Sequence, residues 1–268
     1  MSDQNEHLYK DYPILEFDSS VPAIIEPSKI LKPLDTMPER GVLCFFQDVI
    51  EGICGSGKAE IVSYTQSETI RLPIYSLDVE NPISRKKERI TVTHPGVGAP
   101  YSACTLEELI AKGCKKFIAC GGAGVLDKEI SVGNVVVPNS AVRDEGTSYH
   151  YLPPGREVAA TQAAVAAIET TLKEHEVPYL VGKTWTTDGV YRETPAKIAR
   201  RKGEDCLTVE MEAAAFFAIS QFRKVTFGQI LYGGDDVSGQ KWDNRGWQKR
   251  ASTREKLFWL AVESVLRL

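Results

Sequence analysis

Apolar runs of strand length recur along this chain, and helix-length patterns fill many of the gaps between them. The runs are Ala23–Ile25, Gly41–Phe46, Glu60–Tyr64, Arg89–Thr93, Lys116–Cys120, Asn134–Pro138, Tyr179–Thr187, Leu207–Val209 and Thr226–Tyr232. Helical patterns run from Thr105 to a stop at Gly113, then over Ala159–His175, Thr194–Lys202, Glu210–Phe222 and Ser252–Leu268. Strands alternating with helices predict a mixed, largely parallel α/β sheet, whose ligands gather at the carboxyl ends of strands. No repeat, low-complexity tract or linker divides the sequence. At 268 residues, 43% of them hydrophobic, residues 1–268 have the means to bury one large core as a single domain.

The segment Val209-Glu210-Met211-Glu212-Ala213 is physically odd. Cys206–Val209 before it is apolar, and Ala213–Ile219 after it is apolar nearly all round, so both flanking elements should be buried. A buried carboxylate costs several kcal/mol unless something binds it. Acidic residues at a helix N-terminus also complement the helix dipole, but that role needs no burial. Two glutamates here, with Asp235-Asp236 one strand later, point to a ligand rich in hydroxyl groups.

Two glycine-bearing loops also follow strands: Thr93-His94-Pro95-Gly96-Val97-Gly98-Ala99-Pro100 and Cys120-Gly121-Gly122-Ala123-Gly124. Glycines there let backbone N–H groups approach a ligand. Neither loop is a P-loop or a dinucleotide fingerprint, because the following lysine, the spacing and the ribose acid are missing. The net charge of −4 with no long basic run argues against nucleic acid as a partner. No apolar stretch is long enough to span a membrane, and the N-terminal residues form no apolar signal core. The six cysteines show neither metal-ligand spacing nor a C-x-x-C pair, which fits a reducing, cytoplasmic setting.

These motifs together resemble the purine nucleoside and uridine phosphorylase family, class I of the nucleoside phosphorylase superfamily, from His7 to the last helix. The matching blocks are Val209–Ala213, Gly96–Pro100, Gly121–Gly124, Val132–Pro138 and Thr186–Tyr191, in family order. The resemblance implies a twisted mixed sheet, partly closed like a barrel and flanked by helices, cleaving N-glycosidic bonds with inorganic phosphate as co-substrate and no metal or organic cofactor. It places Glu210, Met211, Glu212 and His7 on the ribose, with Glu212 on its hydroxyls as a catalytic residue. It places Asp235 at the leaving base as the catalytic acid, with Asp236 as a neighbour one indel away. Gly121 and Tyr191 are expected beside the base. His7 and Arg40 match positions that reach a neighbouring subunit's site, implying a homo-oligomer (a dimer or a hexamer of dimers) with shared active sites. The interval from Tyr191 to Glu210 is too short for the uracil-binding insertion of uridine-specific members, whereas Ala141–His150 looks more like the uridine branch. Purine is slightly favoured.

The phosphate residues depart from the family pattern. The first phosphate loop corresponds to Glu26-Pro27-Ser28-Lys29-Ile30-Leu31-Lys32, with Ser28 at the glycine position and Lys32 at the arginine. In the second loop Ala119 and Gly122 stand where phosphorolytic members carry arginine and serine or threonine. Ser28, Lys32, Arg40 and Gly122 are therefore the expected phosphate set. Hydrolytic relatives use water, and Gly121-Gly122-Ala123-Gly124-Val125-Leu126 fits their loop. Their water-activating glutamate has no aligned counterpart, since Glu26 lies only near its place. Phosphorolysis is the expectation, hydrolysis the alternative, and a silent nucleoside-binding protein the third reading.

Overall fold

The computed structural model describes residues 11–55 and 57–268. After a single helical turn, α1 (Pro27–Ile30), the chain runs β1 (Arg40–Cys44), α2 (Gln47–Cys54), β2 (Ala59–Gln66), β3 (Arg71–Glu80) and β4 (Lys87–Thr93). It continues through α3 (Ala99–Lys112), β5 (Lys116–Val125), β6 (Val135–Asp144), β7 (Glu157–Ala159), α4 (Gln162–Glu174) and β8 (Tyr179–Thr187). The last elements are α5 (Pro195–Lys202), β9 (Cys206–Glu210), α6 (Ala213–Arg223), β10 (Thr226–Asp236) and α7 (Ala251–Leu266). Helix ends follow local chemistry. Gly113 closes α3 with φ 125°, a conformation open to glycine, and Thr194 caps α5 by accepting from Lys197 N–H.

All strands belong to one mixed sheet, and five of them close a ring. β5 pairs with β10, β10 with β6, β6 with β8, β8 with β9, and β9 returns to β5. From the same β5 an open wing extends through β1, β4, β3 and β2. This is the partly barrel-like α/β architecture expected of the chain. Alternation along β1 sends Val42 and Cys44 into one core and Leu43 into the other. The first core packs Ile118, Ile230 and Tyr232 against Phe258 and Val265 of α7. The second packs Phe117, Ala119 and Phe227 against Leu106 of α3 and Phe216 of α6. Helix α6 is buried on every face from Ala213 to Ser220, as its uninterrupted apolar sequence requires.

One expected strand is absent. Ala23–Ile25 forms bends, with Ile24 fully exposed, because Pro22 and Pro27 bracket it and no strand pairs with it. Conversely, β3, β7 and α2 are elements that the apolar runs did not reveal. No helix among the described residues is long and apolar enough to cross a membrane.

Candidate active site

The site arises where β5 changes partners. On one edge β5 pairs with β1 as far as Cys120 and with β9 from Gly124 onward, while β10 runs along the other edge. Gly121, Gly122 and Ala123 fall in the gap between those two partners, and a cavity of about 270 Å³ opens there. Divergence of strands at their carboxyl ends is where open α/β sheets hold ligands. The turn after β1 supplies Phe45 and Phe46 to the wall, the β9–α6 turn Glu210, Met211 and Glu212, and β10 Asp235.

Both glutamates of the β9–α6 turn are buried, Glu210 to 7% and Glu212 to 6% exposure. Glu210 works mainly inside the fold. Its Oε2 accepts the N–H groups of Glu212 (2.7 Å) and Ala213 (2.6 Å), and its Oε1 accepts the Thr186 hydroxyl at 2.6 Å. It thus satisfies two orphan donors at the start of α6. Glu212 is less fully engaged: Oε1 accepts Gly98 N–H at 2.6 Å, and Oε2 accepts Met211 N–H at 3.3 Å. A carboxylate has about four acceptor sites, so Glu212 keeps capacity toward the cavity. Burial drives the Glu212 carboxyl above the usual range, and the Glu210 charge adds to it, against the two N–H donors. Burial raises Glu210 likewise, against the donors from Thr186, Ala213 and Glu212.

The loop before α3 is shaped to deliver the Gly98 N–H. Gly96 has φ +84°, and a Cβ there would lie 1.7 Å from the Tyr101 ring. His94 Nδ1 accepts Gly96 N–H at 2.9 Å, and Ser102 Oγ donates to Gly96 O at 2.9 Å. Only glycine meets both the backbone conformation and the ring.

Asp235 reaches the cavity through an irregularity in β10, whose register with β5 shifts between Gly233 and Asp236. It sits beside Gly124, where a Cβ would lie 3.0 Å from Val209 and 3.7 Å from Asp235 Oδ1. Its Oδ2 accepts the Trp242 indole N–H at 2.6 Å. Asp236 turns away into an ion pair with Arg245 at 2.5 Å and accepts Ser238 N–H. Burial opposes its ionisation, but those partners hold the carboxyl below its ordinary value. Glu193, which the sequence reading did not single out, also lines the cavity; burial and the Asp235 charge push its carboxyl up to about 7.

Gly121, Gly122, Glu210, Met211, Glu212 and Asp235 are thus brought together. Four others are not. Ser28 and Lys32 are exposed near α1, because the segment leaving the end of β1 is Phe45-Phe46 and the start of α2 rather than 26–32. Arg40 opens β1 at the end remote from the cavity and pairs with Glu88 at 3.0 Å. The Tyr191 side chain is 95% exposed and lies outside the lining, although Val190 and Glu193 belong to it. His7 lies outside the described residues. Glu26 is buried in an ion triad in which Arg223 bridges it to Glu107. The cation that does line the cavity is Arg254 of α7, another residue the sequence reading missed. Its guanidinium lies 4.7 Å from the Phe46 ring centre and pairs with Asp48 at 2.9 Å, while its Nε is buried without a partner among the described residues.

The profile of the phosphorylase superfamily matches residues 40–262, and the chain belongs to that family. It is 28% identical to a guanosine phosphorylase of Halorubrum lacusprofundi over 66% of this chain and 71% of that protein. It is 29% identical to a uridine phosphorylase of Treponema pallidum, over 53% of this chain and 59% of that one. Among solved structures, a Toxoplasma gondii purine nucleoside phosphorylase in complex with immucillin-H shares the fold, with a TM-score of 0.70 at 20% identity. That alignment covers 86% of this chain and 93% of the other.

Proposed function

We propose that this protein is a nucleoside phosphorylase. It breaks the N-glycosidic bond of a nucleoside, purine in preference to uridine, and transfers the pentosyl group to inorganic phosphate. The observation that carries the reading is one cavity lined both by Glu212 on the β9–α6 turn and by Asp235, across Gly124, on β10. Bond cleavage develops positive charge on the ribose ring. Glu212, aided by Met211 and Glu210, holds the ribose hydroxyls and stabilises that charge, and Asp235 works at the base beside Gly121. Arg254, which lines the same cavity as Gly121 and Gly122, is the cation assigned to phosphate. Phosphate is the co-substrate, without metal or organic cofactor, and the working unit is a cytoplasmic homo-oligomer with shared sites. The similarity to a guanosine and a uridine phosphorylase supports the reaction class.

A second reading, hydrolysis by water, is favoured by one observation. A Cβ at Gly122 would lie 3.2 Å from the Tyr232 ring and 3.4 Å from Trp247, so a phosphate-binding serine there would be crowded. The test is base release from inosine, adenosine, guanosine and uridine, with and without phosphate. Phosphate-dependent release with ribose 1-phosphate as product establishes phosphorolysis; equal release without phosphate, yielding free ribose, establishes hydrolysis. No release from any of the four refutes both.

A further inference from the structure

We propose that Glu193, rather than Asp235, delivers the proton to the departing base. The inference rests on the nucleoside-cleaving reading above and deepens it.

Glu193 and Asp235 line the same cavity, and burial together with the Asp235 charge opposes ionisation of Glu193. An N–H donor favours the charged form of the carboxyl that it reaches, and an indole N–H can only donate. That donor goes to Asp235, from Trp242 at 2.6 Å. The donor is itself anchored: a backbone bridge joins Asp236 and Asp243, and Arg245 pairs with Asp236. The Glu193 carboxyl receives no such donor among the described residues, where burial and the Asp235 charge are what act on it. Its backbone is nonetheless fixed, between the turn closed by Arg192 N–H on Gly189 O and the Thr194 cap of α5. The remaining charged groups lining the cavity are Glu210, Glu212 and Arg254. Glu210 and Glu212 accept backbone N–H groups, and Arg254 pairs with Asp48. The Glu193 carboxyl, pushed up to about 7, also suits an acid that works at neutral pH.

In the step itself the bond from the anomeric carbon to the base nitrogen breaks, and its electron pair passes into the base. The proton moves from the Glu193 carboxyl to a nitrogen of the imidazole ring, N7 in a purine, leaving Glu193 as carboxylate. The anomeric carbon bonds to a phosphate oxygen. Glu193 regains its proton from water after the base departs.

A substrate that needs no proton separates this role from a structural one. The base of 7-methylinosine already carries positive charge and leaves without protonation. Glu193→Gln should slow cleavage of inosine by about a hundredfold or more, as expected for loss of a general acid, and 7-methylinosine by less than about threefold. Glu193→Asp, which keeps a carboxyl, should recover part of the inosine rate. Equal losses on both substrates for Glu193→Gln, or the selective loss appearing in Asp235→Asn instead, would overturn the assignment. Wild-type protein that cleaves neither nucleoside, or uridine alone, would remove the purine-cleaving reading and the inference with it. Cleavage of both by wild type and by Glu193→Gln at equal rates would remove only the inference.

Discussion

Replacing Glu212 with glutamine should stabilise the protein while abolishing its activity, and the stabilisation should grow with pH. The side chain is 6% exposed and its oxygens accept one backbone N–H each. Hydrogen bonds to a charged group contribute about 1.5–3 kcal/mol each, whereas the effective penalty for burying the ion is several kcal/mol. The Glu210 carboxylate two residues earlier adds repulsion. Glutamine keeps the shape and the carbonyl acceptor for Gly98 N–H. It gives up the acceptor for Met211 N–H and the charge assistance at Gly98 N–H, about 2 kcal/mol together, and sheds both the ion's desolvation and the repulsion. We expect a net gain of about 1–3 kcal/mol, which at about 2–4 °C per kcal/mol raises Tm by several degrees. The sign of the pH dependence follows from the raised pKa. The wild-type group favours the folded state below the ordinary carboxyl pKa of 4.5, and loses that contribution as pH rises through its elevated folded value. Glutamine does not titrate, so the gap in Tm should be near zero at about pH 4.5 and widest at about pH 9. Thermal unfolding of the two proteins over that range is the assay, with base release measured in parallel. A gap independent of pH, a destabilised variant at high pH, or retained nucleoside cleavage would refute the reasoning.

Other substitutions test the walls of the cavity. Gly122→Ser should lower stability by about 1–3 kcal/mol through crowding of Tyr232 and Trp247, without lowering the KM for phosphate; denaturant titration and phosphate kinetics check both parts. Arg254→Met should raise the KM for phosphate about tenfold or more, the loss of one charge-assisted contact, and leave the KM for nucleoside nearly unchanged. Gly96→Ala should be the most damaging of these. Its Cβ would fall inside the Tyr101 ring at a positive φ, so we expect a loss above about 2 kcal/mol in denaturant titration and weaker nucleoside binding, as the Gly98 N–H leaves Glu212.

What the sequence disclosed depended on how local the signal was. Glu210 and Glu212 were legible because apolar residues on both sides left no exposed place for them, and the structure buries both. Glycines at the end of β5 were legible for the same reason, as punctuation within an apolar run. Residues 26–32 lie away from the cavity, since Ala23–Ile25, three apolar residues between two prolines, makes no strand to carry them there. Strand β1, Arg40–Cys44, is followed by two phenylalanines that carry no ligand signature. Strand β3 was hidden by Pro73 and by charged residues at its ends. Glu193 and Arg254 sit in polar stretches that look like ordinary solvated helix ends. Their meaning comes only from tertiary placement, one beside Asp235 and the other over Phe46.

The change of partner along β5 has a consequence for how the protein breathes. That strand belongs to the closed ring and to the open wing at once, so the floor of the cavity cannot loosen without parting both. Amide hydrogens of Gly121–Val125 that bond to β9 and β10 should therefore exchange with solvent only through global opening. Those of the segment around Trp242 should exchange through local fluctuation. Substrate entry then becomes a matter of the loops at the rim, while the sheet beneath keeps its register through each turnover.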